Sequence, residues 1–380
     1  MINAATWPRD EPLEERMLIV DTERELLHDG RVRDLPSVLQ AGDALIVNDA
    51  ATLPASLYTR DRSVEVRLAG HVPGAPNGVD PRAFIAVLFG AGDHRVPTEA
   101  RPEPRSVRPG EHLDFGDGLS ARVIATDAEQ PRLIELRFDQ AGAELYRGLY
   151  RHGRPIQYAY VREPLALFHV QSRFASAPWA FEPPSAGRPI TFGALSDLIQ
   201  RGVHLGHVTH AAGISSTGAS ALDARFPLAE RYAIHDSAVR AVRSARAAGG
   251  RVVAAGTTVV RALEAAALEH GAVVAGEGVA TLRISADHAL RVADGLFTGL
   301  HAPGTSHFEL LEAFAPRELL ERADARAREQ AYLGHELGDS CLWLPRALPS
   351  PQRLYAAPIS SPGRLKRSSS FEAIASGGNQ

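Results

Sequence analysis

Sulfur and aromatic rings are scarce in this chain: one cysteine (Cys341), two methionines and 6% aromatic residues. One cysteine excludes an internal disulfide framework and a thiolate-built zinc centre, and it fits a reducing compartment. Long apolar runs are also missing, since no segment approaches the roughly 18 uninterrupted apolar residues of a membrane helix. Residues 1–16 carry Asp10, Glu11, Glu14 and Glu15 with no apolar block, so they do not read as a secretory signal. Together these absences predict a cytoplasmic protein. Positive charge is not in excess either. Lys and Arg number 41 against 45 Asp and Glu, a net formal charge of −4. That balance excludes a nonspecific nucleic-acid coat and leaves room for a local patch that binds one folded RNA.

What is present is an ordinary globular composition, 44% hydrophobic and 23% charged over 380 residues, enough for about two domains. Met17–Val20 and Ala44–Val47 read as short buried strands, the second entered through Gly42-Asp43 and left at Asn48-Asp49. From Ser63 to Phe138, alternating runs separated by Gly- and Pro-rich turns predict a small barrel or sandwich. Beyond Gly153 the texture becomes α/β. Helices are predicted at Phe192–Arg201, Ser237–Ala248 and Val259–His270, with extended segments at Val203–Val208 and Arg251–Ala255 and a last helix, broken near Pro316, from Ser306 to Tyr332. The expected fold class is α/β: a mixed sheet with flanking helices plus an inserted small β-barrel domain. The expected boundaries are 1–60 with 151–344 for the core, 61–150 for the insertion, and a disordered, basic tail over 345–380.

The strongest local feature is a strand that ends in Gly256-Thr257-Thr258 and runs into a helix. Such a helix N-terminus offers unpaired N–H groups and the positive dipole end to a carboxylate or phosphate. A plain βα junction capped by Thr257 or Thr258 is the simpler reading.

Gly256-Thr257-Thr258-x-x-Arg261-Ala262-Leu263-Glu264 resembles the GTTxxRxLE motif of the S-adenosylmethionine:tRNA ribosyltransferase-isomerase family of queuosine biosynthesis. Other blocks are similar to that family in the same order. They are Gly42 to Asp49, Leu53 to Leu57, Pro184-Ser185-Ala186-Gly187 with Thr191, Val208-Thr209 with Gly213, Asp294 to Pro303, and Gly338-Asp339. They span about residues 12 to 344. Several polar positions depart from the pattern: Ala51 and Ser56 stand where the family has arginines, Pro189 and Ala211 where it has histidines, and Gly299 where it has an asparagine.

The resemblance implies a reaction in which the ribosyl moiety of S-adenosylmethionine moves to a 7-aminomethyl-7-deazaguanine in the tRNA anticodon arm, releasing adenine and methionine. It therefore implies S-adenosylmethionine as co-substrate, tRNA as partner and no metal. The carbon beside the sulfonium needs a base, and the departing adenine needs a proton donor. Matched residues carry two readings each. His301 is an acid–base group or the cap of a turn. Asp294 and Asp339 hold ligand hydroxyls or the sulfonium, or serve turns beside Gly295 and Gly338. Asn48 and Asp49 contact substrate or form an Asx turn. Glu230 is a catalytic or orienting carboxylate or an exposed glutamate at a helix entry. Arg261 pairs a substrate anion or Glu264. Ser185, Gly187 and Thr209 are carried over as substrate-binding positions. His210, with His207, stands in for the shifted family histidine, and no third metal ligand is in register with them. Two further readings are a diverged paralogue with a small-molecule acceptor and a non-catalytic adenosyl-binding protein.

Overall fold

The computed structural model describes residues 2–72 and 80–347; most of the tail expected over 345–380 lies outside them. The fold is α/β, a mixed sheet with flanking helices and an inserted barrel-like sheet. Nine strands form the large sheet, in the spatial order Gly276–Ala280, Glu230–Ile234, His204–His210, Ala44–Asn48, Val252–Ala255, Gly295–Gly299, Ser340–Leu344, Arg16–Asp21 and Leu26–Arg31. The central four, from His204–His210 to Gly295–Gly299, are parallel. Their apolar runs are buried on both faces, as parallel strands flanked by helices must be. Leu18, Val20, Ala44, Ile46, Val208, Ala254 and Leu296 share one core with helices Asp236–Ala248, Thr257–His270 and Arg317–Glu329. Among the described residues, no helix is long and apolar enough to cross a membrane.

Between Asn48 and His204 the chain leaves this sheet and builds a second one of six antiparallel strands, ordered Ser56–Tyr58, Glu65–His71, Ala83–Phe89, Leu133–Phe138, Leu119–Thr126 and His112–Gly116. Register shifts after Leu68, Asp114 and Glu135 bend it toward closure. Its interior, which includes Leu57, Val66, Phe84, Leu136 and Phe138, continues into Phe181 and Ala211 of the large-sheet region.

Four strands have no sequence signal that announces them. Leu26–Arg31 is a half-exposed edge of mixed polarity, and Gly276–Ala280 opens the opposite edge with Gly-Glu-Gly. Glu230–Ile234 alternates but begins with a charge, and Ser340–Leu344 is buried along its length behind a turn.

Glu264, on helix Thr257–His270, sets the entry of strand Gly295–Gly299. Its fully buried carboxylate accepts the backbone N–H groups of Arg291 (2.9 Å), Val292 (2.9 Å) and Ala293 (3.1 Å). The expected pairing of Arg261 with Glu264 is therefore corrected: both residues are buried, and Glu264 caps backbone instead. Glu264→Ala would leave three donors without acceptors at about 1–3 kcal/mol each. It is expected to cost about 3 kcal/mol or more, read as a lower urea midpoint with an unchanged slope. A midpoint equal to wild type would show that the 291–293 segment finds other acceptors.

Candidate active site

The four parallel strands end together. Val208 pairs with Asn48, and Ala255 pairs with both Val47 and Phe297. A crevice at the carboxyl ends of parallel strands is where α/β sheets bind ligands. Asn48 closes it from below. Its Oδ1 accepts from Ala50 N (3.0 Å) and His210 N (2.9 Å), and its Nδ2 donates to His210 O (3.1 Å) and Thr258 Oγ1 (3.3 Å). The Asx-turn reading of Asn48 is thus correct but incomplete, since the same amide also clips a neighbouring strand and a helix.

Gly256 sits at φ +108°, which a side chain rarely adopts, and its N–H donates to Phe297 O at 2.8 Å. The expected threonine cap is corrected here. Gly256 is the cap residue with no side-chain cap bond, and Thr257 and Thr258 are the first two helical residues. Backbone conformation starts this helix, so both hydroxyls are spared for other partners. A Cβ on Gly256 would meet Ala186 at 3.5 Å, which brings the Ser185–Gly187 turn over the helix start.

Behind this start lies a buried charged group. Arg261 donates through Nη1 to Glu230 Oε2 and through its other nitrogens to the carbonyls of Ala280 (3.2 Å), Leu282 (3.3 Å) and Leu228 (3.4 Å). Glu230 Oε1 accepts from Gly213 N at 2.7 Å, and Oε2 lies 3.5 Å from His210 Nε2. The exposed helix-entry reading of Glu230 is corrected: it is a buried residue that begins a strand. Burial lowers the Arg261 pKa to about 10. Burial, reinforced by Arg261, holds His210 well below the ordinary histidine value. The hydrogen bonds of the Arg261 guanidinium thus run to Glu230 and to backbone carbonyls of the interior.

Asp49 faces a different group. Its carboxylate accepts from Ser176 Oγ (2.7 Å) and Thr209 Oγ1 (2.6 Å), and Thr209 Oγ1 is also 2.9 Å from His235 Nε2. His207 stacks on His235 with ring centroids 4.4 Å apart, and its Nδ1 is 2.8 Å from Ser237 Oγ. The expectation of no third metal ligand beside His207 is corrected. Asp49 and His235 arrive from other strand ends, a juxtaposition that spacing along the chain does not reveal.

On the far side, His301 Nε2 is 2.8 Å from Thr298 Oγ1, and its ring stacks on His307 at 4.9 Å. Desolvation, with His307 and His335 nearby, holds His301 well below the usual pKa, so it is a neutral imidazole at neutral pH. Asp339 stands beside it, because Ser340 pairs with Gly299. Its carboxylate is spent on Arg9 (2.5 Å), Leu333 N (2.8 Å) and Arg16 N (3.3 Å), tying down the N-terminal segment. Asp294 does not join this group. It lies at the opposite end of its strand, where it accepts from Val252 N (2.7 Å) and Arg246 Nη1 (2.6 Å).

Sequence patterns do not flag one further feature at this edge. A small recess is lined by Tyr158, Tyr160, Glu182, Glu336 and Leu337. Tyr158 donates to Glu182 and stacks on Tyr160, and Tyr160 lies against His335 at 4.4 Å. The Glu182 backbone N–H is held by Ala212 O, just past strand His204–His210. Burial raises the pKa of both Glu182 and Glu336. Glu15, bonded to Arg188 and to Ser340 Oγ (2.7 Å), braces the adjoining Ser185–Gly187 turn against strand Ser340–Leu344.

His210 gives this region a pH dependence. Its folded pKa lies below the unfolded value of about 6.5. The unfolded chain therefore takes up this proton first as pH falls. The contribution is fully present above that value and is lost on acidification at up to about 1.4 kcal/mol per pH unit. His210→Gln is expected to reduce the fall in unfolding free energy between pH 7.5 and 5 by about 2 kcal/mol. Parallel curves for variant and wild type in urea titrations would contradict that.

The family model described as "Queuosine biosynthesis protein" matches residues 3–343. The protein of Methylobacterium radiotolerans named S-adenosylmethionine:tRNA ribosyltransferase-isomerase is 34% identical over 338 residues, covering 87% of this chain and 91% of that protein. A Thermus thermophilus protein of the same name is 33% identical over 322 residues, covering 83% and 88%. A crystal structure of S-adenosylmethionine tRNA ribosyltransferase from Thermotoga maritima aligns over 89% of this chain and 95% of that one, with a TM-score of 0.47 and 22% identity. The match over nearly all described residues makes this chain a member of the queuosine biosynthesis protein family.

Proposed function

We propose that this protein transfers and isomerises the ribosyl moiety of S-adenosylmethionine onto a 7-aminomethyl-7-deazaguanine of a tRNA anticodon arm. The supporting observation is that blocks from residues 48 to 339 meet at one crevice next to an aromatic, carboxyl-lined recess. The stacked Tyr158 and Tyr160 rings suit a purine. A carboxyl whose pKa is raised by burial suits the departing adenine, whose ring nitrogen must pick up a proton, and Glu182 lines that recess. The start of helix Thr257–His270 suits the methionine carboxylate of the donor. His301, a neutral imidazole at the same edge, is the group assigned to take the proton from the carbon beside the sulfonium. Asn48, Glu230, Arg261 and Asp339 act in this reading as positioning residues, because their polar atoms are already engaged.

A second reading, with a smaller acceptor, is favoured by Ser56. Its buried hydroxyl donates to Glu65 Oε1 at 2.6 Å, so the side chain at position 56 itself offers a phosphate no charge.

One assay separates the two. Purified protein is expected to release adenine from S-adenosylmethionine only with tRNA that carries the aminomethyl base. Release independent of that tRNA would favour the small acceptor, and none at all would sink both. Glu182→Gln is expected to lower kcat for adenine release by about 100-fold while leaving KM for the donor within a few-fold. An unchanged kcat would remove Glu182 from the proton path.

A further inference from the structure

We propose that Asp49, His207 and His235 form a binding site for a divalent transition-metal ion of the zinc type. Asp49 directly follows strand Ala44–Asn48, His207 lies on the parallel neighbour His204–His210, and His235 follows the antiparallel strand Glu230–Ile234. One donor atom from each residue lies within 4.8 Å of the other two. The Asp49 Oδ2 to His207 Nε2 separation is 3.9 Å, too long for a hydrogen bond. Two ligands of a tetrahedral ion with bonds near 2.1 Å stand about 3.4 Å apart. The Asp49–His207 pair is about 0.5 Å wider than that spacing, and side-chain rotation brings the three donors onto one ion.

The surroundings orient the donors. Ser237 Oγ holds His207 Nδ1 at 2.8 Å, which fixes the ring and leaves Nε2 facing Asp49, the second-sphere arrangement typical of metal-bound imidazoles. Ser176 and Thr209 fix the carboxylate through one oxygen each. His235 Nε2 exchanges its Thr209 partner for the ion on binding. Both histidines are half-buried, so water reaches the remaining coordination positions. Two imidazole nitrogens and one carboxylate oxygen favour Zn²⁺, Co²⁺ or Ni²⁺ over Mg²⁺ and Ca²⁺, which prefer oxygen ligands alone. This site is independent of the ribosyl-transfer reading.

The test is titration of the chelator-treated full chain with Co²⁺, followed by visible ligand-field absorption, and with Zn²⁺ by calorimetry. One equivalent is expected to bind. His207→Ala and His235→Ala are each expected to weaken binding by at least about tenfold, and Ser237→Ala by about tenfold. His207→Gln and His235→Gln provide a second pair that keeps side-chain bulk if either alanine variant unfolds. His270→Ala, at the far end of its helix, is expected to bind as wild type does. Absence of a stoichiometric site, or affinity indifferent to His207 and His235, would overturn the assignment.

Discussion

The architecture of the crevice depends on one side-chain amide. Asn48 ends its strand, and its two polar atoms make four hydrogen bonds to strand His204–His210, to the turn that follows Asn48, and to the first turn of helix Thr257–His270. An amide has four hydrogen-bonding positions, and all four are used in a site that excludes water. A buried amide left partly unsatisfied would be costly, so its partners are held in a single arrangement. Three elements are thereby fixed at one depth, and the crevice has a defined floor. Aspartate in that place would lose two donors, and leucine would lose every bond.

Behind the floor, charge is arranged so that none is left over. Glu230 balances Arg261, and His210 beside them stays neutral. A protonated His210 would set a second cation against Arg261 in a medium that screens poorly. Neutrality also keeps this cluster rigid at working pH, because no proton is exchanged as substrates arrive. The mouth contrasts with this interior. There the titratable groups, Glu182, Glu336 and His301, are shifted toward their uncharged forms by desolvation. Desolvation thus keeps His301 an unprotonated acceptor and moves the two carboxyls toward the pH range in which they can donate a proton.

Much of this was legible in the sequence, and the limits have physical causes. Apolar runs at 44–47 and 251–255 mark central strands because a parallel sheet buries both faces, and the run at 17–20 marks a strand buried between Ser340–Leu344 and the edge. The Gly-Thr-Thr junction is visible because only glycine reaches the φ it needs. Edge strands such as Leu26–Arg31 and Gly276–Ala280 are hidden, since half-exposed edges lose the hydrophobic pattern. Residue roles were harder to read than residue positions. Glu230 and Arg261 look like surface charges along the chain, and only the crossing of Glu230–Ile234 beside helix Thr257–His270 buries them together. Tyr158, Glu182 and Glu336 come together from segments far apart in sequence, as Asp49, His207 and His235 do elsewhere, so each meeting is a property of topology alone.

The serine at position 56 then acquires a structural meaning. Ser56 lies in register with Arg67 of the neighbouring strand, and the fully buried Arg67 guanidinium bonds Glu65 while facing the Phe89 and Tyr158 rings. Arg101 bonds the same carboxylate. Two guanidinium groups and one carboxylate thus occupy the interior of the inserted sheet where Ser56 contributes only a hydroxyl. A buried pair of this kind specifies packing more than it adds stability. An arginine at position 56 would bring a third guanidinium against Arg67 and Arg101, with Glu65 already shared. The serine is therefore the residue this interior requires. The buried Arg67 guanidinium stands under the Tyr158 ring, while Arg154, which bridges Ser56, and Arg60 and Arg62 of the same corner are exposed, so the cations open to a polyanion here are those at the surface and not the buried pair.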